Sequence, residues 1–456
     1  MDSGEASAAN APAHDLQGAV GERIDGLTSW RVRFWAPIVL GLIMLGDSWD
    51  SIVIAYVVPS LKQEWGLDTI AIGAMISAGY AGQFVGSLLL GPLAEKFGRM
   101  PIFYVAITAM CMFTLGCALS HDPQLFLTLR FCAGFSLGGA LPVCISYVNE
   151  LAPTKTRGRY FSLFQFIMVS GYALVSITAP FIIPAHGWRT MFFIGAFPVL
   201  LIPLVMLTLP ESPRWLARYG RVAKANRALA KLGAAAVDEN LPIGGAEARR
   251  VPVLALFAPE YRVRTIVVSA LWFFTSLVSF AFATWAPTLY TQVYHLPLEE
   301  GLRYTAIAGA LYLFVPLAFA ALIDIVGRRG PAIFVNSVAL LALIALIAIS
   351  QPQTLTVATL ITTGWIAAAA GSVILWPYTA EIFPTQMRAT GVGLSSSLAR
   401  GASMLTPLVV AGTLAYGGSV RVVFAMLGVC SLIVILLWVF FTRETARKSL
   451  EETGGR

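Results

Sequence analysis

Charge is what this sequence has least of. Asp, Glu, Lys and Arg make up 12% of the 456 residues against 57% apolar residues, whereas a water-soluble domain carries about a quarter charged side chains. That scarcity excludes water as the solvent for most of the chain. Cysteine is scarce as well: Cys111, Cys117, Cys132, Cys144 and Cys430 all lie inside apolar runs, which excludes a disulfide framework or a metal-ligand spacing and leaves them as small packing residues. Residues 1–30 are Ala/Gly-rich and mixed in charge, with no apolar core ahead of a small-residue cleavage site. This excludes a secretory leader and reads as a flexible cytoplasmic tail. Neither a metal nor an organic cofactor is expected.

What the chain does contain is long apolar runs, at roughly 34–59, 70–93, 101–119, 124–148, 160–184, 190–209, 265–290, 303–323, 331–350, 354–380, 389–415 and 421–441. A hydrocarbon core about 30 Å thick takes about 20 residues of helix, twice the length of a barrel strand. The expected fold class is therefore an all-α membrane protein of twelve crossings, since only helices and closed barrels satisfy backbone polar groups in lipid. The net charge of +7 does not point to nucleic acid, because its distribution follows topology. Lys and Arg crowd alternate connections (Lys96 and Arg99, Lys155 to Arg159, the 214–264 loop, Arg328 and Arg329, Arg388, Arg443 to Lys448), while the other side holds Lys62, Arg189, Arg303 and Arg421. Basic loops stay in the cytoplasm, so both termini are expected there, in the cell (inner) membrane.

The two halves repeat one another. Glu95, Gly98 and Arg99 recur as Asp324, Gly327 and Arg328 at an offset of 229; Glu150, Pro153, Thr154 and Arg157 recur as Glu381, Pro384, Thr385 and Arg388 at 231. Arg189 recurs as Arg421 and Glu211 as Glu444, at 232 and 233. A nearly constant offset means a six-plus-six duplication, with bundles at 31–209 and 265–442, a linker at 210–264 and a tail at 443–456. A duplicated transporter places its substrate at the repeat interface near the bilayer midplane. In the linker, SPRWLARYGRVAKANRALAKLG sets a basic face against an apolar one at helical spacing, as interfacial helices do.

The acidic–x–x–Gly–Arg loops, the Arg130-x-x-x-Gly134 start of the fourth run, PESPRW at 210–215 and the closing RETARKSLEE together resemble the major facilitator superfamily from about residue 30 to 450. The last two resemble its sugar-porter side and relatives, which include organic ion transporters, the synaptic vesicle glycoprotein 2 group and bacterial nicotinate transporters. DSWD at 47–50 resembles the paired aspartates of aromatic acid:proton symporters. The resemblance implies gating by the loop charges: Glu95 and Asp324 accepting from arginines such as Arg99 and Arg328, Glu150 from Arg157, and Glu381 from Arg388. Such pairs are costly to bury, which suits contacts that break in every cycle. The plainer reading is topological anchoring.

Three ionisable residues lie at membrane depth. Asp47 and Asp50 fall about 12 and 15 residues into the first run, roughly 18–22 Å along a helix, and share one face. Charge at that depth is by default functional. Arg130 is the expected partner within the same half, and by resemblance to proton-coupled sugar porters Asp50 matches the coupling carboxylate; a static structural ion pair is the alternative. Arg400 lies about 12 residues, roughly 18 Å, beyond Arg388. Its planar fork suits a carboxylate, and it reads as an anion clamp unless it pairs with Asp47 or another acid.

Amides are missing where a sugar would need them. By resemblance, sugar porters carry glutamines and an asparagine on the seventh helix, where LWFFTSLVSFAFATW places Phe274, Thr275 and Phe280. Rings fit a flat aromatic solute. Gln165 and Trp376 match substrate-contacting positions of that family, and Trp49, Trp272, Phe273, Phe274, Tyr172 and Tyr378 are weaker candidates, since such rings often serve as packing or interfacial anchors. The G-x-S-x-G match at 134–138 lacks the strand–turn–helix setting a nucleophile needs. The expectation is a monomeric symporter importing a small aromatic organic anion with a proton as coupling ion, nicotinate first and a hydroxybenzoate next. Alternatives are a sugar:proton symporter, an organic cation or drug exporter, or a nontransporting sensor.

Overall fold

The structure, a computed structural model, describes residues 15–27, 34–153, 157–242, 252–316, 318, 326–349, 353–384 and 387–445, apart from the side chains at 157, 158 and 389. Asp324 therefore lies outside the described residues, as does the side chain of Arg157. Among the described residues there is no β-strand, and eleven helical segments are long and apolar enough to cross a membrane. In the first half these are α2 (Ala36–Trp65), α3 (Thr69–Phe97), α4 (Arg99–Leu119), α5 (Pro123–Leu151), α6 (Arg157–His186) and a bent sixth segment made of α7 (Arg189–Gly195), a 3-10 turn at Phe197–Leu201 and α8 (Ile202–Thr208). Prolines 198 and 203 cannot continue an α-helical ladder, which accounts for the bend.

The second half contains α11 (Arg262–Thr288), α12 (Leu298–Tyr312), α13 (Arg329–Ala348), α14 (Thr354–Ile382), α15 (Arg388–Ala415) and α16 (Val420–Phe440). The eighth crossing, expected at 303–323, is helical over α12, and part of its remainder is outside the described residues. Local start signals are plain: Asp68 accepts from Ala71 N at 2.7 Å to open α3, and Asp122 accepts from Leu125 N at 2.8 Å to open α5.

Helices α3 and α5 touch backbone to backbone. A Cβ on Gly82, Gly86, Gly134 or Gly138 would run into the main chain of Phe131, Phe135, Gly79 or Gln83, respectively. These glycines are what lets the two helices meet. Ser136 donates to Cys132 O one turn back at 3.0 Å, so the G-x-S-x-G match is packing.

The linker forms α9 (Pro213–Arg218) and α10 (Val222–Leu232), as its pattern predicts. Within the stretch 1–30, expected to be a flexible tail, the described residues 15–27 differ from expectation. Asp15 caps α1 (Leu16–Asp25) by accepting from Gly18 N at 2.7 Å, and Leu16, Val20 and Ile24 are wholly buried in a core shared with Ala217, Leu229 and Leu232 of the linker. Leu16 N also donates to Pro242 O at 3.0 Å. The segment is a docked helix because its three aliphatics recur at four-residue spacing.

Contacts between the bundles gather toward the end opposite the termini. Gly73 meets Pro407 and Ala411, Gly309 meets Ser176, Tyr80 sits edge-on to Phe280 at 5.3 Å, and Lys62 Nζ donates to Gln292 Oε1 at 2.6 Å.

Candidate transport site

The deepest feature is an ion pair inside the first bundle. Arg130 Nη1 donates to Asp50 Oδ2 at 2.8 Å and Nη2 to Asp50 O at 3.0 Å, while Thr114 Oγ1 donates to Asp50 Oδ1 at 2.8 Å. Asp50 is 0% exposed and Arg130 2%, and the guanidinium also lies over the Phe192 ring at 5.7 Å. In this conformation Asp50 is closed off from any cleft. The pair nonetheless reaches the seam between bundles in one step. Tyr80 donates to Ser51 O, the residue after Asp50, and its ring touches Phe280 of the other half.

One turn earlier on α2, Asp47 is buried and senses the charges of Asp50 and, across the seam, of Arg400 on α15. Arg400 is half-buried, and among the described residues no carboxylate lies within ion-pair distance of it. Tyr172 of α6 lies within electrostatic reach of both groups. Its ring meets Tyr312 of α12 edge-on at 6.3 Å, and Tyr312 in turn stacks on Trp365 of α14 at 5.9 Å with planes 7° apart. An acid, a cation and a ladder of rings thus share the seam. Neither Tyr312 nor Trp365 is marked by a motif: Tyr312 stands beside Phe314 in the apolar stretch GALYLFV, and Trp365 is the one ring in TGWIAAAAG.

The other ring candidates divide. Trp376 is 48% exposed and meets Trp272 edge-on at 4.9 Å, while Trp272 donates to Thr379 Oγ1 at 2.8 Å. Phe273 and Phe274 contact each other at 5.4 Å, and Gln165 is half-buried on α6. Trp49 is a packing residue: it is 4% exposed, and Nε1 donates to Met191 O at 2.9 Å inside the first bundle.

At the end bearing the termini, the repeat builds the same charge cluster twice. Arg99 Nη2 bridges Glu95 at 2.8 Å and Glu150 at 3.1 Å, and Arg328 Nη2 meets Glu381 at 2.8 Å. The described partner of Glu150 is therefore Arg99. Glu211 accepts from Met100 N at 3.2 Å and Ser212 N at 2.7 Å, and Glu444 accepts from Arg328 N, Arg329 N and Thr445 N at 2.9–3.1 Å. Each carboxylate sits on the N-terminus of a spanning helix, where the orphan N–H groups and the dipole favour an anion. Gly98 (φ 115°) and Gly327 (φ 93°) turn the chain into these helices, and a Cβ on either would lie 2.6 Å from an oxygen of Glu211 or Glu444.

Comparisons with known proteins cover nearly the whole chain. The model of the family described as "Sugar (and other) transporter" matches residues 28–454. The chain belongs to that family, within the major facilitator superfamily. It is a multi-pass membrane transporter, not an enzyme. It is 26% identical over 440 residues to the niacin transporter NiaP of Acinetobacter baylyi, covering 95% of this chain and 99% of the relative. It is 31% identical over 406 residues to a gallate transporter of Pseudomonas putida, covering 86% and 88%. The inward-open xylose transporter XylE from E. coli shares the fold, with a TM-score of 0.73 at 21% identity, covering 92% of this chain and 98% of that one.

Within this transporter Tyr378 has a different place from the one expected. It is the repeat mate of Tyr147, at the same offset of 231. Tyr147 Oη donates to Pro210 O just before Glu211. Tyr378 is 1% exposed and packs on Trp438 at 4.7 Å, so it is a packing residue in this conformation. An apolar crevice of about 430 Å³ opens between α3, α5 and α15, lined by Ser77, Phe131 and Met404 among others.

Proposed function

We propose that the transporter imports a small aromatic monocarboxylate, nicotinate first and a hydroxybenzoate-type acid second, together with a proton. The observation that carries this reading is Arg400: a permanent cation at the seam, with no direct carboxylate partner among the described residues and Tyr172 beside it. A guanidinium offers a carboxylate two parallel donors, and the Tyr172–Tyr312–Trp365 ladder and Trp376 offer ring faces for a flat solute. The names of the relatives, niacin and gallate transporters, support the same substrate class.

Asp50 and Asp47 carry the proton, and Arg130 holds Asp50 until the bundles move. Capture of the anion at Arg400 and protonation beside Asp47 neutralise opposite charges on the two faces of the seam, which favours its closure. The Lys/Arg asymmetry places the termini in the cytoplasm, so the contacts around Gly73, Gly309 and Lys62 close the outer side and the Arg99 and Arg328 clusters work the inner gate. Titration of the purified protein with nicotinate, 4-hydroxybenzoate and D-xylose, followed by tryptophan fluorescence, tests the assignment. A charge-assisted contact is worth about 1.5–3 kcal/mol, so Arg400→Ala is expected to weaken acid binding by roughly 10- to 150-fold. Unchanged affinity in that variant, or binding of D-xylose alone, would overturn it.

A further inference from the structure

The linker carries a second, unrelated surface. Along α9 and α10, Arg218, Arg221, Lys224, Arg227 and Lys231 follow one another at steps of three, three, three and four residues, and all five are exposed. Within α10 that spacing keeps Lys224, Arg227 and Lys231 on one face, while Arg218 ends α9 and Arg221 stands in the turn just before α10. The opposite faces are already used: Trp215, Leu216, Ala225 and Ala228 pack on each other, and Leu229 and Leu232 enter the core shared with α1. No acidic residue occurs between 212 and 237. Arg218 reaches Glu95 at 3.7 Å and Arg221 lies over the Trp215 ring at 4.9 Å. Among the described residues, Lys224 and Arg227 meet no carboxylate.

The stripe ends at the lipid boundary. Lys231 Nζ donates to Met206 O at 3.1 Å, and Met206 and Leu207, at the close of the sixth spanning segment, are 55% and 75% exposed. Exposed apolar side chains on a spanning segment face acyl chains, so the neighbouring cations lie at headgroup level. Basic clusters on an amphipathic helix beside a spanning segment attract anionic lipid.

We propose that this stripe binds the headgroups of anionic phospholipids and thereby ties the linker, and through α1 the first bundle, to the membrane surface. The occupant is a lipid phosphodiester rather than free phosphate, because the cations spread along the two linker helices instead of converging on one point. The proposal stands independently of the transported substrate.

Full-length protein in phosphatidylcholine nanodiscs with and without phosphatidylglycerol, read by native mass spectrometry of the released protein, tests it. Each cation near an anionic surface contributes about fivefold in affinity. Wild type is expected to retain phosphatidylglycerol over phosphatidylcholine, and K224Q/R227Q/K231Q to lose at least tenfold of that preference while eluting as wild type in size exclusion. K224R/K231R is expected to keep it. Equal retention by the triple glutamine variant, absence of a headgroup preference in wild type, or displacement of the lipid by inorganic phosphate would overturn the assignment. Should the triple variant aggregate, the single variant R227Q, read at the same salt as wild type, is expected to lose about fivefold of the preference, and an unchanged preference there refutes the proposal.

Discussion

Removing Arg130 alone should cost more than removing it together with the charge it neutralises. Asp50 is wholly buried and has three described polar contacts, two from Arg130 and one from Thr114. Arg130→Gln leaves an ionised carboxylate with one hydroxyl partner at 2.8 Å. Breaking a buried pair from one side costs about 3–5 kcal/mol, whereas replacing both members by uncharged groups of similar volume is often close to neutral. For a cooperative unit the size of one bundle, each kcal/mol moves the unfolding midpoint by about 2–4 °C, so the single variant is expected to melt about 6–20 °C lower. Asp50→Asn alone strands the arginine and should fall in the same range, while D50N/R130Q should recover most of the loss. The assay is thermal unfolding in detergent, followed by intrinsic fluorescence, across the full cycle. A double variant whose loss equals the sum of the singles, or singles within about 1 kcal/mol of wild type, would refute the view that the pair is closed off from water.

Three further outcomes follow from the gate clusters. Gly98→Ala and Gly327→Ala force a side chain into a left-handed backbone and against Glu211 or Glu444, so each should lose about 1–3 kcal/mol of stability and slow uptake, measured by melting and by initial rates. Tyr147→Phe removes the hydrogen bond to Pro210 O, worth about 1 kcal/mol. It is expected to lower the melting temperature while leaving KM for the acid unchanged, whereas Trp376→Ala should raise KM. Burial lifts the Glu211 carboxyl above its ordinary value of 4.5, against the opposing pull of its backbone donors. The folded state therefore holds that proton more tightly than the unfolded chain. The resulting stability is complete below the unfolded pKa and is lost as pH rises through the folded one. Glu211→Gln should flatten that part of the stability profile in a pH-dependent melting series.

Much of this was legible in the sequence because the bilayer imposes it. Apolar runs of spanning length marked the crossings, the near-constant offset marked the duplication, and the depth of Asp50 and Arg130 on their helices marked the pair. Features that depend on which side of a helix meets a neighbour were harder to read. Trp49 looked available beside two aspartates but turns into the first bundle toward Met191. Tyr378 reads as a ring near the cavity, yet it is the repeat mate of Tyr147 and packs on Trp438. Glu211 and Glu444 were visible as repeat mates, yet their role required seeing that the returning chain lands on the N-termini of α4 and α13. The docked helix α1 lies in Ala/Gly-rich surroundings that dilute the four-residue spacing of Leu16, Val20 and Ile24. Tyr312 and Trp365 gain meaning only once the two halves are brought together.

Coupling between acid and proton is the claim on which the transport reading turns. Wild-type protein in proteoliposomes, given labelled nicotinate with and without an inwardly directed proton gradient, measures it directly. Accumulation above the equilibrium level with the gradient, abolished by Asp50→Asn and by Arg400→Ala, is the expected result. Equal uptake with and without the gradient would contradict proton coupling, and normal accumulation by the Arg400→Ala protein would contradict the anion clamp.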